Sequence, residues 1–192
     1  MHRVKRVIVC DFDELIMSDK HSHLSDVVVD IENHFAKYFN TSDMPVNWIF
    51  YNNFFLFDLP PFNDLPPYFR FLRYRMRAPV VHGSGAKSMF DPQACLVARD
   101  HFCGPSTPGF RNRGGGTRIN EEFAVSRHYR ICVWENLIGC LGHKNLDCPG
   151  IIAKSRRDDT ILRYRDELVP RVAEKIRLIA GHDLPLNSKL RK

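Results

Sequence analysis

A chain of 192 residues with 44% apolar side chains and 14 phenylalanines is the size of one domain and can bury a core, which excludes a disordered polypeptide. Its net charge of +6 is spread along the chain, with small clusters at Arg70–Arg77 and Arg156–Arg157; that balance suits a phosphate-bearing ligand, an anionic membrane surface or nucleic acid and selects none of them, and no nucleic-acid-binding motif accompanies it. No signal peptide is visible, and no apolar run approaches the roughly 20 residues that span a bilayer.

In chain order, Val4–Cys10 reads as a short buried strand, with Cys10 a buried thiol. It runs into Asp11, Asp13 and Glu14, with Phe12 between the first two acids. Residues His21 to about Phe39 read as a helix with Ser22 or Ser25 near its start and Val28, Ile31 and Phe35 on one stripe. The aromatic and β-branched run Val46–Asp58 reads as a strand. Pro60-Pro61 and Pro66-Pro67 then enforce an extended loop. The segment YFRFLRYRMR suits strand or helix. AKSMFDPQACLVARDHFC reads as two short strands about a turn at Asp91-Pro92. Gly104 to about Asn120, with Gly114–Gly116 consecutive, reads as a long loop, and loops of that length are usually functional or mobile. FAVSRHYRICVW is a further strand. From about Asp158 to Ala180 comes a helix with Ile161, Leu168, Val172, Ile176 and Ile179 on an apolar stripe. Pro170 kinks or divides it, and Asp158 and Asp159 sit at its start, where carboxylates complement exposed N–H groups. Residues 1–182 form the domain and 183–192 a basic, loose tail.

Six cysteines stand at Cys10, Cys95, Cys103, Cys132, Cys140 and Cys148, none in a zinc-ribbon C-x2-C pair. One or two bridges in the second half suit a secretory protein, and Asn40-Thr41-Ser42 is an N-glycosylation triplet.

Two carboxylates one residue apart where a strand ends suggest two chemistries. The first is a site for Mn²⁺ or Mg²⁺, hard cations that take oxygen ligands and neutralise a departing diphosphate. The second is a haloacid-dehalogenase-type phosphatase, with Asp11 as nucleophile and Asp13 as acid/base. That chemistry also needs a lysine and a later acidic pair, for which Lys87 and Asp158-Asp159 invite comparison. Asp158-Asp159, however, follows AKSRR, which is no buried strand. A structural explanation competes with both: a solvated turn whose acids only cap. The segment AVSRHYRICVW strengthens the metal alternative. It places His128 beside Arg127, Tyr129 and Arg130, where imidazole can bind Mn²⁺ and arginine can fork onto phosphate.

VIVCDFDELIM, VNWIFYNNFF, AKSMFDPQACLV followed by a histidine, and HYRIC, in that order, resemble glycosyltransferase family 92. The resemblance spans most of Val4 to about Cys132. It implies an α/β fold, a GT-A-like mixed-sheet sandwich, in a Golgi membrane protein whose catalytic domain faces the lumen from an N-terminal anchor. It implies metal-dependent transfer of a hexose, typically galactose, from a UDP-sugar to a glycan acceptor. Carried over by position, Asp11, Asp13 and His128 are metal ligands, and Asp11 with Arg130 serves the diphosphate. Glu14 follows the family's habit of a third acid. Lys87 faces the phosphates, packs at the pocket rim, or is an ordinary solvated lysine. Trp48 and neighbouring aromatics form a sugar-stacking platform or pack in the core. GSGAK (83–87) is not a P-loop, because Ala86 stands where the second glycine belongs. The catalytic base of an inverting transfer is unassigned among Asp91, Asp100, Glu121 and Glu122.

Family members carry a uracil- and ribose-binding half before the acidic strand end. This sequence lacks it, as a fragment, a partial gene model or a truncated relative would. The expectation is weak UDP-sugar binding and inactivity of this chain alone. A third alternative is a truncated relative kept as a glycan- or partner-binding module.

Overall fold

The computed structural model describes residues 4–40, 43–95, 97–98, 101, 103, 116–132 and 147–181. Asp100, Cys140, Thr41-Ser42, most of the glycine-rich loop and the basic tail lie outside these residues.

The chain is a mixed α/β domain. Strands β1 (Val7–Ile8), β2 (Glu14–Met17), β3 (Asn47–Leu56), β4 (Met76–Phe90), β5 (Thr117–Arg118), β6 (Val125–Arg130) and β7 (Arg156–Arg157) build one sheet with the path β1-β4-β3-β6-β2. β5 pairs with β3 and β7 with β4. β3 runs antiparallel to β4 but parallel to β5 and β6, so the sheet is mixed. The helices are α1 (Leu24–Phe35), α2 (Arg70–Arg73), α3 (Cys148–Ala153) and α4 (Arg165–Ala180), with a 3-10 turn at Thr160–Tyr164.

Side chains alternate between the two faces of a strand, and the register sorts the core accordingly. Trp48, Phe50, Phe54 and Leu56 of β3 share a face with Lys87 and Met89 of β4, Glu14 and Ile16 of β2, and His128 of β6. α1 covers one end of that face, packing Val27, Ile31 and Phe35 on Trp48, Phe50 and Met89. α3 covers the other end. Its Ile151 and Ile152 meet Phe54, Leu56 and Ala78, and the Cys132–Cys148 disulfide ties its first residue to the chain after β6. The opposite face carries Leu15, Met17, Phe55, Arg127 and Tyr129. There Leu15 and Met17 join Leu65, Phe69 and Leu72, which pack with Ile161 and Val169 from the C-terminal elements.

β3 is a strand as its composition predicts. The two prolyl pairs lie in the loop before α2, and the ambiguous YFRFLRYRMR divides into α2 and the start of β4. Several expectations need correction. Only Val7–Ile8 of the first apolar run pairs, on the outer side of β4; Val4, Val9 and Cys10 are exposed, so the run is not a buried strand and Cys10 not a buried thiol. An edge strand of two residues has no neighbour to cover its flanks. α1 buries Val27 rather than Val28, because 27, 31 and 35 lie one above another at the helical i+4 spacing. α4 runs through Pro170 undivided. Ile161 is buried in the 3-10 turn before it, and Val172 packs on the same cluster as expected, but Leu168 and Ile179 are exposed and Val169 is buried in their place. The two short strands expected about Asp91-Pro92 are instead one long β4 ending at Phe90, followed by the expected turn, in which Asp91 Oδ1 accepts from the Gln93 N–H at 2.8 Å.

β4 stays continuous through GSGAK because it bulges there. Between the pairs Phe50↔Lys87 and Asn52↔His82, β3 advances two residues and β4 five. Gly85, at φ +67°, occupies the left-handed region that the bulge needs, and a Cβ there would meet the Asn52 amide at 3.2 Å. Among the described residues two disulfides form, Cys95–Cys103 and Cys132–Cys148.

Candidate active site

The acids do not extend a strand. They form the tight turn into β2, closed by the Glu14 N–H donating to the Asp11 carbonyl at 3.1 Å. The Glu14 carboxylate reaches back and accepts from the Asp11 N–H at 3.1 Å through Oε2. The Tyr129 N–H donates to the Asp13 carbonyl at 2.9 Å, which pins the turn to β6. Phe12, at the tip between the two aspartates, is fully exposed.

Register then brings the second part of the site. Glu14 lies directly opposite His128 in the antiparallel β2–β6 pair, which sets their side chains on one face a few ångströms apart. The result is a chain of polar and charged groups in the middle of that face, between the two apolar clusters. Lys87 Nζ stands 3.0 Å from Asp11 Oδ2 and 2.7 Å from Glu14 Oε2. Glu14 Oε1 stands 3.1 Å from His128 Nδ1, and His128 Nε2 stands 3.5 Å from Asp13 Oδ2. Lys87 and Glu14 are buried, whereas Asp11 and Asp13 are open to solvent on one side. The site is therefore polar and locked at its base and accessible at its mouth.

The electrostatics follow from this layering. Burial draws the Lys87 ammonium down, but hydrogen bonds and attraction from Glu14 and Asp11 outweigh it, so its pKa rises and the group stays charged. Burial lowers the His128 pKa, with Arg130 and Lys87 adding to the effect against Glu14 and Asp13. Burial likewise lowers Arg130, opposed by Asp13 and Glu14, which places this guanidinium in the field of the same acids. Cys10, though exposed as a residue, has its thiol crowded by protein and by Glu14, and its pKa is pushed up to about 11.

The spacing of Asp13 and His128 fits a divalent cation. Two ligands at right angles on bonds of roughly 2.1 Å stand about 3 Å apart, close to the 3.5 Å between Asp13 Oδ2 and His128 Nε2. Asp11 turns to Lys87 instead, and among the described residues no three of His, Cys, Asp and Glu are arranged to hold a metal. Two protein ligands suit Mg²⁺ or Mn²⁺ at a nucleotide site, because such ions fill their remaining positions with water and phosphate oxygens.

The other expected residues lie elsewhere. Trp48 is wholly buried, capped by the Arg6 guanidinium 3.9 Å from the ring centre, and donates its indole N–H to the Pro45 carbonyl; it offers no face to a sugar. Asp91 lines a cleft of about 320 Å³ with Lys5, Arg6 and Glu32. Glu121 pairs with Arg118 on the surface, and Glu122 accepts from Asn120. None of these three acids shares a hydrogen bond or ion pair with Glu14, Lys87 or His128 among the described residues.

Asp158 and Asp159 do more than cap. Asp158 does accept from the Thr160 N–H at 3.0 Å, but it also pairs with Arg127 at 3.1 Å and Arg77 at 3.3 Å. Asp159 pairs with Arg75 at 3.3 Å and Arg157 at 2.7 Å. Because Arg127 neighbours His128 in β6, this network occupies the opposite face of the sheet.

The sequence offers three places for Lys87, facing the phosphates, at a pocket rim or in solvent, and no specific part for Glu14 beyond that of a third acid. Both are central. The available signal was a lysine inside AKSMF, a run otherwise apolar or small; a cation there requires a buried acid. No family model, curated protein or solved structure matches this chain.

Proposed function

We propose that the chain is the metal- and diphosphate-binding part of a GT-A-like glycosyltransferase of the family-92 kind, moving a hexose, galactose in the first instance, from a UDP-sugar to a glycan acceptor. One observation carries the reading: Asp13 and His128, more than a hundred positions apart in the chain, converge to 3.5 Å at the open mouth of a locked charge cluster.

In this reading Asp13 and His128 hold Mn²⁺ or Mg²⁺. Asp11 stays on Lys87, and water and phosphate oxygens fill the ion's remaining positions. The bound cation supplies charge neutralisation for the leaving diphosphate. Lys87 keeps Asp11 and Glu14 from repelling each other when the cation is absent. Arg130, on the same side of β6 as His128, forks onto a phosphate oxygen. The acceptor hydroxyl gives its proton to a carboxylate and attacks the anomeric carbon as the bond to the diphosphate breaks. The two disulfides support an oxidising compartment and, with the resemblance, the luminal side of the Golgi. Among the described residues no helix is long and apolar enough to cross a membrane.

The test is a titration of this chain with Mn²⁺ followed by electron paramagnetic resonance, together with hexose transfer from UDP-galactose by the full-length protein. Asp13→Ala should abolish both. Retention of either ends the reading.

The contact of Lys87 with Asp11 favours a second reading, the aspartyl-phosphate phosphatase, which also places a lysine on its nucleophile. Against it, Asp158 and Asp159 are committed to arginines on the far face. Covalent phosphate trapped on Asp11 after incubation with a simple phosphoester would favour that reading over sugar transfer.

A further inference from the structure

Phe12 is the most exposed large apolar side chain among the described residues, at 102%. It stands neither at a chain end nor in a loose loop. Asp11–Glu14 is a β-turn closed by the Glu14 N–H on the Asp11 carbonyl, and Phe12 is its first central residue. Two more bonds brace the turn: the Asp11 N–H donates to the Glu14 carboxylate, and the Tyr129 N–H to the Asp13 carbonyl. No residue of the turn has a positive φ, and a turn of this kind accepts most side chains at that position. Nothing in the backbone therefore requires phenylalanine, and folding gains nothing from a ring left in water. Its place is more informative. The flanking carboxylates, Asp11 and Asp13, are 65% and 46% exposed, and Asp13 Oδ2 stands at the mouth, 3.5 Å from His128 Nε2. Adjacent Cα atoms are about 3.8 Å apart, so the ring springs from the rim of the mouth itself. The other aromatics considered for a ligand are committed: Phe54, which abuts the His128 ring, is buried, and Trp48 and Phe50 are wholly so.

We propose that Phe12 is a specificity-determining residue whose ring stacks on the hexose of the nucleotide sugar. The assignment rests on the transferase reading above, which puts a diphosphate at Asp13 and His128. The hexose is joined directly to that diphosphate, so its ring comes within reach of the residue beside Asp13, whereas the base hangs beyond a further ribose. A hexopyranose has apolar C–H faces as well as hydroxyls. In galactose the axial 4-hydroxyl leaves the C–H groups of consecutive ring positions together on one face. An aromatic ring laid on that face takes apolar surface of both partners out of water and asks for no hydrogen bond. Because the turn is already braced and phenylalanine has only two side-chain torsions, little freedom is lost on contact.

The experiment titrates this chain, in the presence of Mn²⁺, with UDP-galactose, UDP and pyrophosphate by isothermal calorimetry, for wild type, Phe12→Ala and Phe12→Tyr. Phe12→Ala should weaken UDP-galactose about 5- to 10-fold and leave UDP and pyrophosphate unchanged. Phe12→Tyr, which keeps the ring, should bind all three as wild type does. Saturation-transfer difference NMR with irradiation of the aromatic protons should reach the hexose ring protons in wild type and miss them in Phe12→Ala. UDP-galactose bound equally well by wild type and Phe12→Ala overturns the inference alone, provided that wild type binds pyrophosphate. Equal weakening of UDP and UDP-galactose gives the ring to the base, and equal weakening of all three reports a disturbed turn; either overturns the hexose assignment. A wild-type chain that binds none of the three ends the transferase reading, and this inference falls with it.

Discussion

Lys87→Met isolates what holds the candidate site together. The ammonium makes two ion pairs of unequal weight. Its Asp11 partner is 65% exposed, and a pair with so open a carboxylate contributes about 0–1 kcal/mol. Its Glu14 partner is 1% exposed at 2.7 Å, and Lys87 itself is wholly buried. Removing the cation leaves Glu14 as a buried charge without a counter-ion, which costs about 3–5 kcal/mol. Domains of this kind are stable by about 5–15 kcal/mol. With a urea dependence of about 1–3 kcal/mol per molar, the unfolding midpoint should fall by about 1 M or more. Methionine fills similar space, so lost packing is a minor part of the change. Adding Glu14→Gln removes the stranded charge and should restore most of the loss. The pH dependence has a definite sign. The folded Lys87 pKa is raised, so its contribution is complete below the unfolded lysine value of about 10.4 and disappears as pH climbs through the higher folded value. Wild type should lose stability in that alkaline range by an amount that Lys87→Met does not. A single variant costing less than about 1 kcal/mol, or a double variant no more stable than the single, refutes the assignment of Lys87 as the clamp of the cluster.

Other expectations use different parts of the molecule. Asp158→Ala leaves the buried Arg127 guanidinium with only the exposed Asp19, and should cost about 3 kcal/mol in chemical denaturation. Although burial opposes ionisation of Asp158, Arg127 and Thr160 hold its pKa below the usual value. The stability it gives is therefore present above about pH 3.9 and lost as pH falls through the lower folded value, a loss absent from the variant. Cys10 is exposed but stays a thiol, with a pKa near 11, so its alkylation by iodoacetamide at pH 8 should be slower than that of an unstructured cysteine peptide. Phe12→Ala removes a side chain that buries nothing, and should leave the unfolding free energy within about 0.5 kcal/mol of wild type.

What could be read from the residues depended on how local the determining interaction is. Asn47–Leu56 was legible because six of its ten residues are aromatic or β-branched and the strand buries side chains on both faces. α1 was legible by period, although a one-residue ambiguity between Val27 and Val28 is inherent in a run of three valines. β4 was misread because Pro79 and the glycines of GSGAK are ordinarily strand breakers; the bulge at Gly85 absorbs them, and a bulge is set by the partner strand rather than by the segment itself. Cys10 looked buried because apolar runs usually are, yet burial depends on having a strand on each side, and β1 sits at an edge. The acid turn and His128 were found as separate motifs, since each carries its own residue pattern. Their joining through Glu14 and Lys87 is a matter of register between β2 and β6 and of the bulge in β4, information that no short stretch contains.

The two faces of β6 divide stability from chemistry. Arg127 points to one face, where Asp158 and Asp19 anchor it and Phe55 lies 5.2 Å below its guanidinium. Tyr129 stacks on Phe55 on that same face. His128, between them, points to the other. The position of the strand is thus fixed by contacts that a ligand at the acid turn would never touch. His128 and Asp13 are consequently free to exchange their weak mutual contact for a ligand without loosening the sheet. The same division weakens the phosphatase alternative. That chemistry needs its second acidic pair on the side of the nucleophile, and here Asp158 and Asp159 are consumed in holding β6 and β4 from behind. A function that draws on Asp13 and His128, at the mouth between the turn into β2 and one face of β6, uses groups that the far-face network does not hold.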